Sequence, residues 1–167
     1  MTPERFYETI EPFKEKLYGF AFRMLGNRDD TKDALQDVLL KLWKMRFEID
    51  TGRAESLAMT IMKNVCIDRL REKKKMNGHT SDLAEINGYT LTNFGDKDLV
   101  KRVGEKIKNL PEMQRVIIDL KDIQGYSYEE IGQITGLNIN AIRVNVSRAR
   151  KKLIKIFGKE VTNEYGT

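Results

Sequence analysis

Apolar residues recur along the first part of the chain at Phe6, Ile10, Phe13, Leu17, Phe20 and Met24, in steps of 4, 3, 4, 3 and 4. That spacing places all six on one helical face. Gly26-Asn27 supplies a stop signal. A second stripe follows the acids Asp29-Asp30, which suit a helix N-terminus, and consists of Ala34, Leu35, Val38, Leu39, Leu42 and Trp43. The opposite face carries Asp30, Asp33, Asp37, Lys41 and Lys44. The stretch from Phe47 to Glu55 breaks the pattern with Asp50, Thr51 and Gly52 and reads as a loop. A third helix is expected from about Ser56 to Lys75, with Leu57, Ile61, Val65 and Cys66 buried. Its end carries Arg69, Arg71, Lys73, Lys74 and Lys75, five cations in seven residues and more than dipole compensation needs.

Periodicity then disappears from about Met76 to Gly95, where Gly, Asn, Ser and Thr predominate. Such a segment predicts a flexible linker and a domain boundary. Beyond it Leu99, Val103, Ile107 and Leu110 recur at steps of 4, 4 and 3, and Pro111 stops or restarts the chain. Met113, Val116, Ile117 and Leu120 define the next helix, which Gly125 ends. The expectation is an all-α protein of two small helical domains, 1–76 and 96–160, joined by a linker at 77–95.

The clearest motif lies between Tyr126 and Phe157. Ser127 and Glu130 form a capping-box signal. Ile131 and Ile134 point a short helix inward, Gly132 permits close helix packing, and Gly136 permits the positive φ of a tight turn plugged by Leu137. A longer helix follows with Ile142, Val146, Ala149 and Leu153 inward. A short helix, a Gly-containing turn and a longer helix make a helix-turn-helix. The outer face of the longer helix holds Asn140, Arg143, Asn145, Ser147, Arg148, Arg150, Lys151, Lys152 and Lys155, and from Ile139 to Phe157 there are six cations and no acid. Arg and Asn can pair bidentately with guanine and adenine edges, and Lys and Arg neutralise phosphates. The motif alone suits a repressor, a response-regulator output domain or an initiation factor alike.

Composition agrees with a polyanionic partner. The 167 residues carry a formal net charge of +5. A modest basic balance can also serve solubility alone. Cys66 is the one cysteine, which excludes an intrachain disulfide, and it reads as a small core residue. The one histidine, His79, lies in the linker, so no zinc set or Cys/His pair is available. With no phosphate loop or paired His/carboxylate site either, neither an enzyme nor a cofactor or small-molecule substrate is expected. The start, MTPERFYET, lacks a basic-then-apolar signal pattern, and a cytoplasmic protein is expected.

The stretch DTKDALQDVLLKLWK (Asp30 to Lys44), with Gln36-Asp37, Leu39-Leu40 and Leu42-Trp43 in order, resembles the polymerase-binding helix of the bacterial sigma-70 family. SLAMTIMKNVCIDRLREKKK (Ser56 to Lys75) resembles the helix that melts and reads the upstream promoter element, carried by Lys63-Asn64 and Asp68-Arg69-Leu70. LPEMQRVIIDL, SYEEIGQITG and VSRARKKL resemble the second conserved domain of that family. The resemblance covers about Phe6 to Lys75 and Lys97 to Phe157 and lacks the large central domain of housekeeping members, which implies the extracytoplasmic-function (ECF) subfamily.

By this resemblance Asp33, Gln36, Asp37 and Leu40 meet the β′ clamp helices of core RNA polymerase. The loop from Phe47 to Glu55 captures a flipped minus-10 base, and the residue matching Asn64 helps hold the separated strand; opening a duplex also calls for a basic groove, for which Arg53, Lys63, Arg69 and Arg71 are the candidates. Asn140, Arg143, Val144, Ser147, Arg148 and Lys151 face the minus-35 element. The implied partners are core polymerase, through β′ clamp and β flap, promoter DNA, and an anti-sigma factor. Leu57 and Met59 stand where the family usually carries a Trp or other aromatic and a Tyr, so stacking on unpaired bases is less available. Trp43 is expected in the core, as in the family. The competing reading is a stand-alone helix-turn-helix regulator whose first half dimerises or senses.

Overall fold

The structure is a computed structural model that describes residues 1–77 and 104–164, with side chains described through 76 and from 104 to 158. Apart from Asn77, the segment expected as a linker lies outside the described residues, as do His79, Leu99 and Val103. The described residues form helices and turns and no strand, in two units that lie within Met1–Tyr89 and Thr90–Thr167.

Three helices build the first unit. α1 (Pro3–Leu25) starts on Thr2, whose hydroxyl accepts from Arg5 N, and ends where Gly26 enters the left-handed region at φ 82°. Asn27, expected as part of the stop, instead begins the next helix. Its Oδ1 accepts from Asp30 N at 2.8 Å, and α2 (Arg28–Lys44) follows at once with Asp29 and Asp30 in its first turn. A 3-10 turn (Thr51–Arg53) leads into α3 (Ala54–Asn77), so Ala54 and Glu55 are helical rather than loop.

α3 packs against both α1 and α2, and its buried side differs from the one expected. Ala54, Ala58, Met59, Met62, Val65, Cys66 and Ile67 are buried, whereas Leu57 and Ile61 are only half-buried. A helix wedged between two others needs a wide apolar face, and the seam runs beside Leu57 rather than through it. Met59 fills the core with Leu17, Phe20, Leu42 and Met62. Trp43, expected in the core, is half-buried. It meets the Phe6 ring edge to face at 5.2 Å, and the Arg46 guanidinium lies 4.1 Å from its centroid.

In the second unit α4 (Glu112–Ile118) begins directly after Pro111. It runs into a π-turn (Asp119–Ile123), in which Gln124 N donates to Asp119 O at 2.9 Å. Gly125 closes the turn at φ 78°. α5 (Tyr128–Thr135) opens on the complete capping box: Glu130 N donates to Ser127 Oγ, and Ser127 N to the Glu130 carboxylate. Gly136 turns the chain at φ 75° into α6 (Ile139–Glu164). Asn138 caps α6 by accepting from Ala141 N at 2.8 Å. Ile131, Ile134, Ile142, Val146 and Ala149 are all buried, as their spacing predicts, and Ala149 packs with Ile107, Leu110 and Ile118, with Leu153 partly buried against them. A Cβ on Gly132 would stand 3.2 Å from Leu137 O, so this glycine sets how closely the turn approaches α5.

Candidate nucleic-acid and protein-docking surfaces

The buried stripe of α6 fixes what its other side presents. With Ile142, Val146 and Ala149 inward, Asn140, Arg143, Val144, Ser147, Arg148 and Lys151 are all exposed, each with neighbours three or four residues away on one continuous face. A capped, projecting helix with Arg, Asn and Lys on its open side is the arrangement that enters a major groove. Two residues expected on this face are committed elsewhere. Asn145 Nδ2 donates back to Ala141 O at 2.8 Å. Arg150 grips Asp122 through two N–H donors, at 3.0 and 2.5 Å, tying α6 to the π-turn. That paired carboxylate raises the pKa of an arginine that is charged in any case.

In the first unit, Asp33, Gln36, Asp37 and Leu40 are exposed along one side of α2, with Leu40 52% accessible. A large apolar side chain displayed among acids and an amide suits a protein partner better than water. The five residues expected to meet melted DNA separate into three environments. Arg53, Asn64 and Arg71 are exposed. Arg69 is turned toward α2, where its guanidinium meets the Asp37 carboxylate at 2.6 Å. Lys63 is buried, at 8% exposure, and burial lowers its pKa below the ordinary lysine value. Lys63, expected in the groove with the other cations, is thus set apart from them by its burial.

A second ion pair runs beside the first. Lys73 Nζ lies 2.6 Å from Asp30 Oδ2, and the same oxygen accepts from Asn27 Nδ2 at 2.6 Å. The Lys73 contact is the main cause of a lowered Asp30 pKa, opposed by burial and assisted by Asn27. Acids of α2 thus hold cations of α3 on the face assigned to docking. Residue spacing within each helix gives no sign of this, because it requires knowing which helix lies alongside. Phe47 is 72% exposed and is the aromatic that the 47–55 loop offers, with Arg46 4.3 Å from its ring. Among the described residues no helix is long and apolar enough to cross a membrane.

Comparison with known proteins covers both units. Residues 9–76 match sigma-70 region 2, and residues 101–153 match sigma-70 region 4. The ECF RNA polymerase sigma factor SigW of Bacillus subtilis is 27% identical over 165 residues, spanning 91% of this chain and 88% of that protein. The RNA polymerase sigma factor CarQ of Myxococcus xanthus is 26% identical over 146 residues, 86% of this chain and 84% of that one. Among solved structures, the sigma factor RpoE of Bartonella quintana, in complex with the anti-sigma factor NepR, superposes with a TM-score of 0.79 at 24% identity over 93% of this chain and 98% of its own. CnrH, in complex with the cytosolic domain of CnrY, gives 0.71 at 22% identity over 95% and 90%. With a region 2 helical unit followed by a region 4 helix-turn-helix, the chain belongs to the sigma-70 family and is an RNA polymerase sigma factor of the ECF group.

Proposed function

We propose that this chain works in the cytoplasm as a dissociable initiation factor, without catalysis of its own, that binds core RNA polymerase and carries it to promoters. The α2 face of Asp33, Gln36, Asp37 and Leu40 docks on the β′ clamp helices, and the second unit engages the β flap. Arg53, Asn64, Arg69 and Arg71 accompany the opened minus-10 strand, with Phe47 as the exposed ring of the loop. Asn140, Arg143, Val144, Ser147, Arg148 and Lys151 read the minus-35 element. An anti-sigma partner belongs to this reading, since two solved relatives are held by proteins of that kind or by a companion chain.

The observation that carries the reading is the open face of α6: six exposed positions, three of them cationic, on a helix fixed by its cap, its buried stripe and the Asp122–Arg150 clamp. Run-off transcription with core polymerase on a pool of promoter-length templates tests it. Co-migration with core and promoter-dependent transcripts are expected. Tight, sequence-specific operator binding by the free protein, with no effect on polymerase, would identify a stand-alone regulator and overturn the reading.

A further inference from the structure

Cations gather around one ring in the second unit. Tyr128 occupies the first position of α5, directly after the Ser127 cap. Lys121 Nζ lies 4.5 Å from the centroid of its ring, and the Arg143 guanidinium carbon lies 5.3 Å from it. Both distances are within reach of a cation–π attraction. Lys121 is itself fixed, donating to Tyr126 O at 3.3 Å. Among the described residues, the contact that orients Arg143 is this ring.

The kind of contact matters more than its strength. A carboxylate clamp would occupy the N–H donors of an arginine, as Asp122 does for Arg150 and Asp37 for Arg69. Such an arginine must break a pair before it can read a base. A ring beneath the guanidinium takes up none of its N–H donors as a carboxylate would, and these are the groups that pair with guanine O6 and N7. A long side chain already oriented also loses less rotamer freedom on binding.

We propose that Tyr128 is a positioning residue for promoter recognition, holding Arg143 against its ring so that the guanidinium meets minus-35 bases pre-oriented with its donors free. The inference rests on the assignment of Arg143 to the minus-35 element.

The test uses the full-length chain with core polymerase on templates randomised across the minus-35 element, read by sequencing the transcribed templates. Arg143→Ala serves as the reference and is expected to flatten base preference at one or two positions. Tyr128→Leu is expected to weaken preference at those same positions by about two- to fivefold, the worth of an exposed cation–π contact. Tyr128→Phe is expected to retain it. A fluorinated phenylalanine series at position 128 withdraws charge from the ring while keeping its shape, and preference should fall step by step with fluorination. This arm stands even if the leucine variant folds poorly. Flattening by Arg143→Ala together with unchanged preference across the fluorinated series overturns the positioning role. A uniform loss at all positions in the Tyr128 variants overturns it as well, because it marks a structural defect. Unchanged preference in Arg143→Ala overturns the recognition reading and the inference with it.

Discussion

A largely buried lysine of the first unit, Lys63, lies where its residue type gave least warning. Lys63 stands beside Asn64, and adjacent residues on a helix face directions 100° apart, so the basic character of the α3 end gave no means of separating them. Burial depresses its pKa. Below that depressed pKa both folded and unfolded chains carry the proton, and the cost of burying the charge is fully present. As pH rises from there toward 10.5, the unfolded chain binds more protons than the folded one, so stability rises. Lys63→Met is expected to stabilise the chain at neutral pH by about 0.5 kcal/mol or less in urea unfolding, since the ammonium is partly solvent-screened. Its advantage over the parent should shrink as pH rises through the depressed pKa and the lysine neutralises. A destabilised variant would show that the ammonium has a partner that rewards its burial. Asp30 has the opposite sign. Its pKa is lowered, chiefly by Lys73, so its contribution is present above the ordinary carboxylate value and is lost as pH falls through the lowered one. Asp30→Asn should therefore cost about 0.5 kcal/mol or less at pH 7, since the pair is solvent-screened, and progressively less as pH falls through the lowered pKa in the same assay.

At the scale of elements, the sequence was most informative where local chemistry decides. The Ser127–Glu130 box, the glycines that turn at positive φ and the α6 stripe all follow from residues within one or two turns of each other. The same holds for Asn138, a favoured cap residue type immediately before α6. The π-turn at Asp119–Ile123 has no such signature, because an i to i+5 bond depends on Tyr126 and Gln124 being drawn back against the turn. On α3 apolar residues occupy several sides at once, and only the placement of α1 and α2 selects Met59 and Met62 over Leu57 and Ile61. Two substitutions test the helix-turn-helix as a unit. Ser127→Ala should lower the stability of the second unit by about 1 kcal/mol through the lost cap. Gly132→Ala should cost about 1–3 kcal/mol, because its methyl group would press on Leu137 O, which is backbone and cannot swing aside. Circular dichroism melts of the full chain measure both, and a Gly132→Ala protein as stable as the parent would show that the turn has room to relax.

The whole molecule divides its work between two units, and the ion pair between Asp37 and Arg69 complicates that division inside the first. The carboxylate offered for docking on polymerase is engaged at 2.6 Å with a cation assigned to melted DNA. Asp37→Ala alone is therefore ambiguous, since it removes a docking group and releases Arg69 together. Three variants resolve it. Asp37→Ala is expected to weaken association with core polymerase roughly five- to thirtyfold, the range for losing one well-placed charged contact of 1–2 kcal/mol. Arg69→Ala keeps the Asp37 carboxylate and is expected to leave core association within about twofold while reducing formation of open complexes. Arg143→Ala is expected to leave association and transcription from a premelted bubble template unchanged, and to reduce transcription from duplex promoters in proportion to how much each depends on its minus-35 element, by about 1–3 kcal/mol of base discrimination. Association is read by fluorescence anisotropy of labelled protein with core polymerase, and opening by permanganate reactivity of thymines. Arg69→Ala matching Asp37→Ala in association would mean that the pair docks as one unit. Arg143→Ala failing at association would mean that Arg143 serves the docking of the second unit on polymerase and not base reading alone.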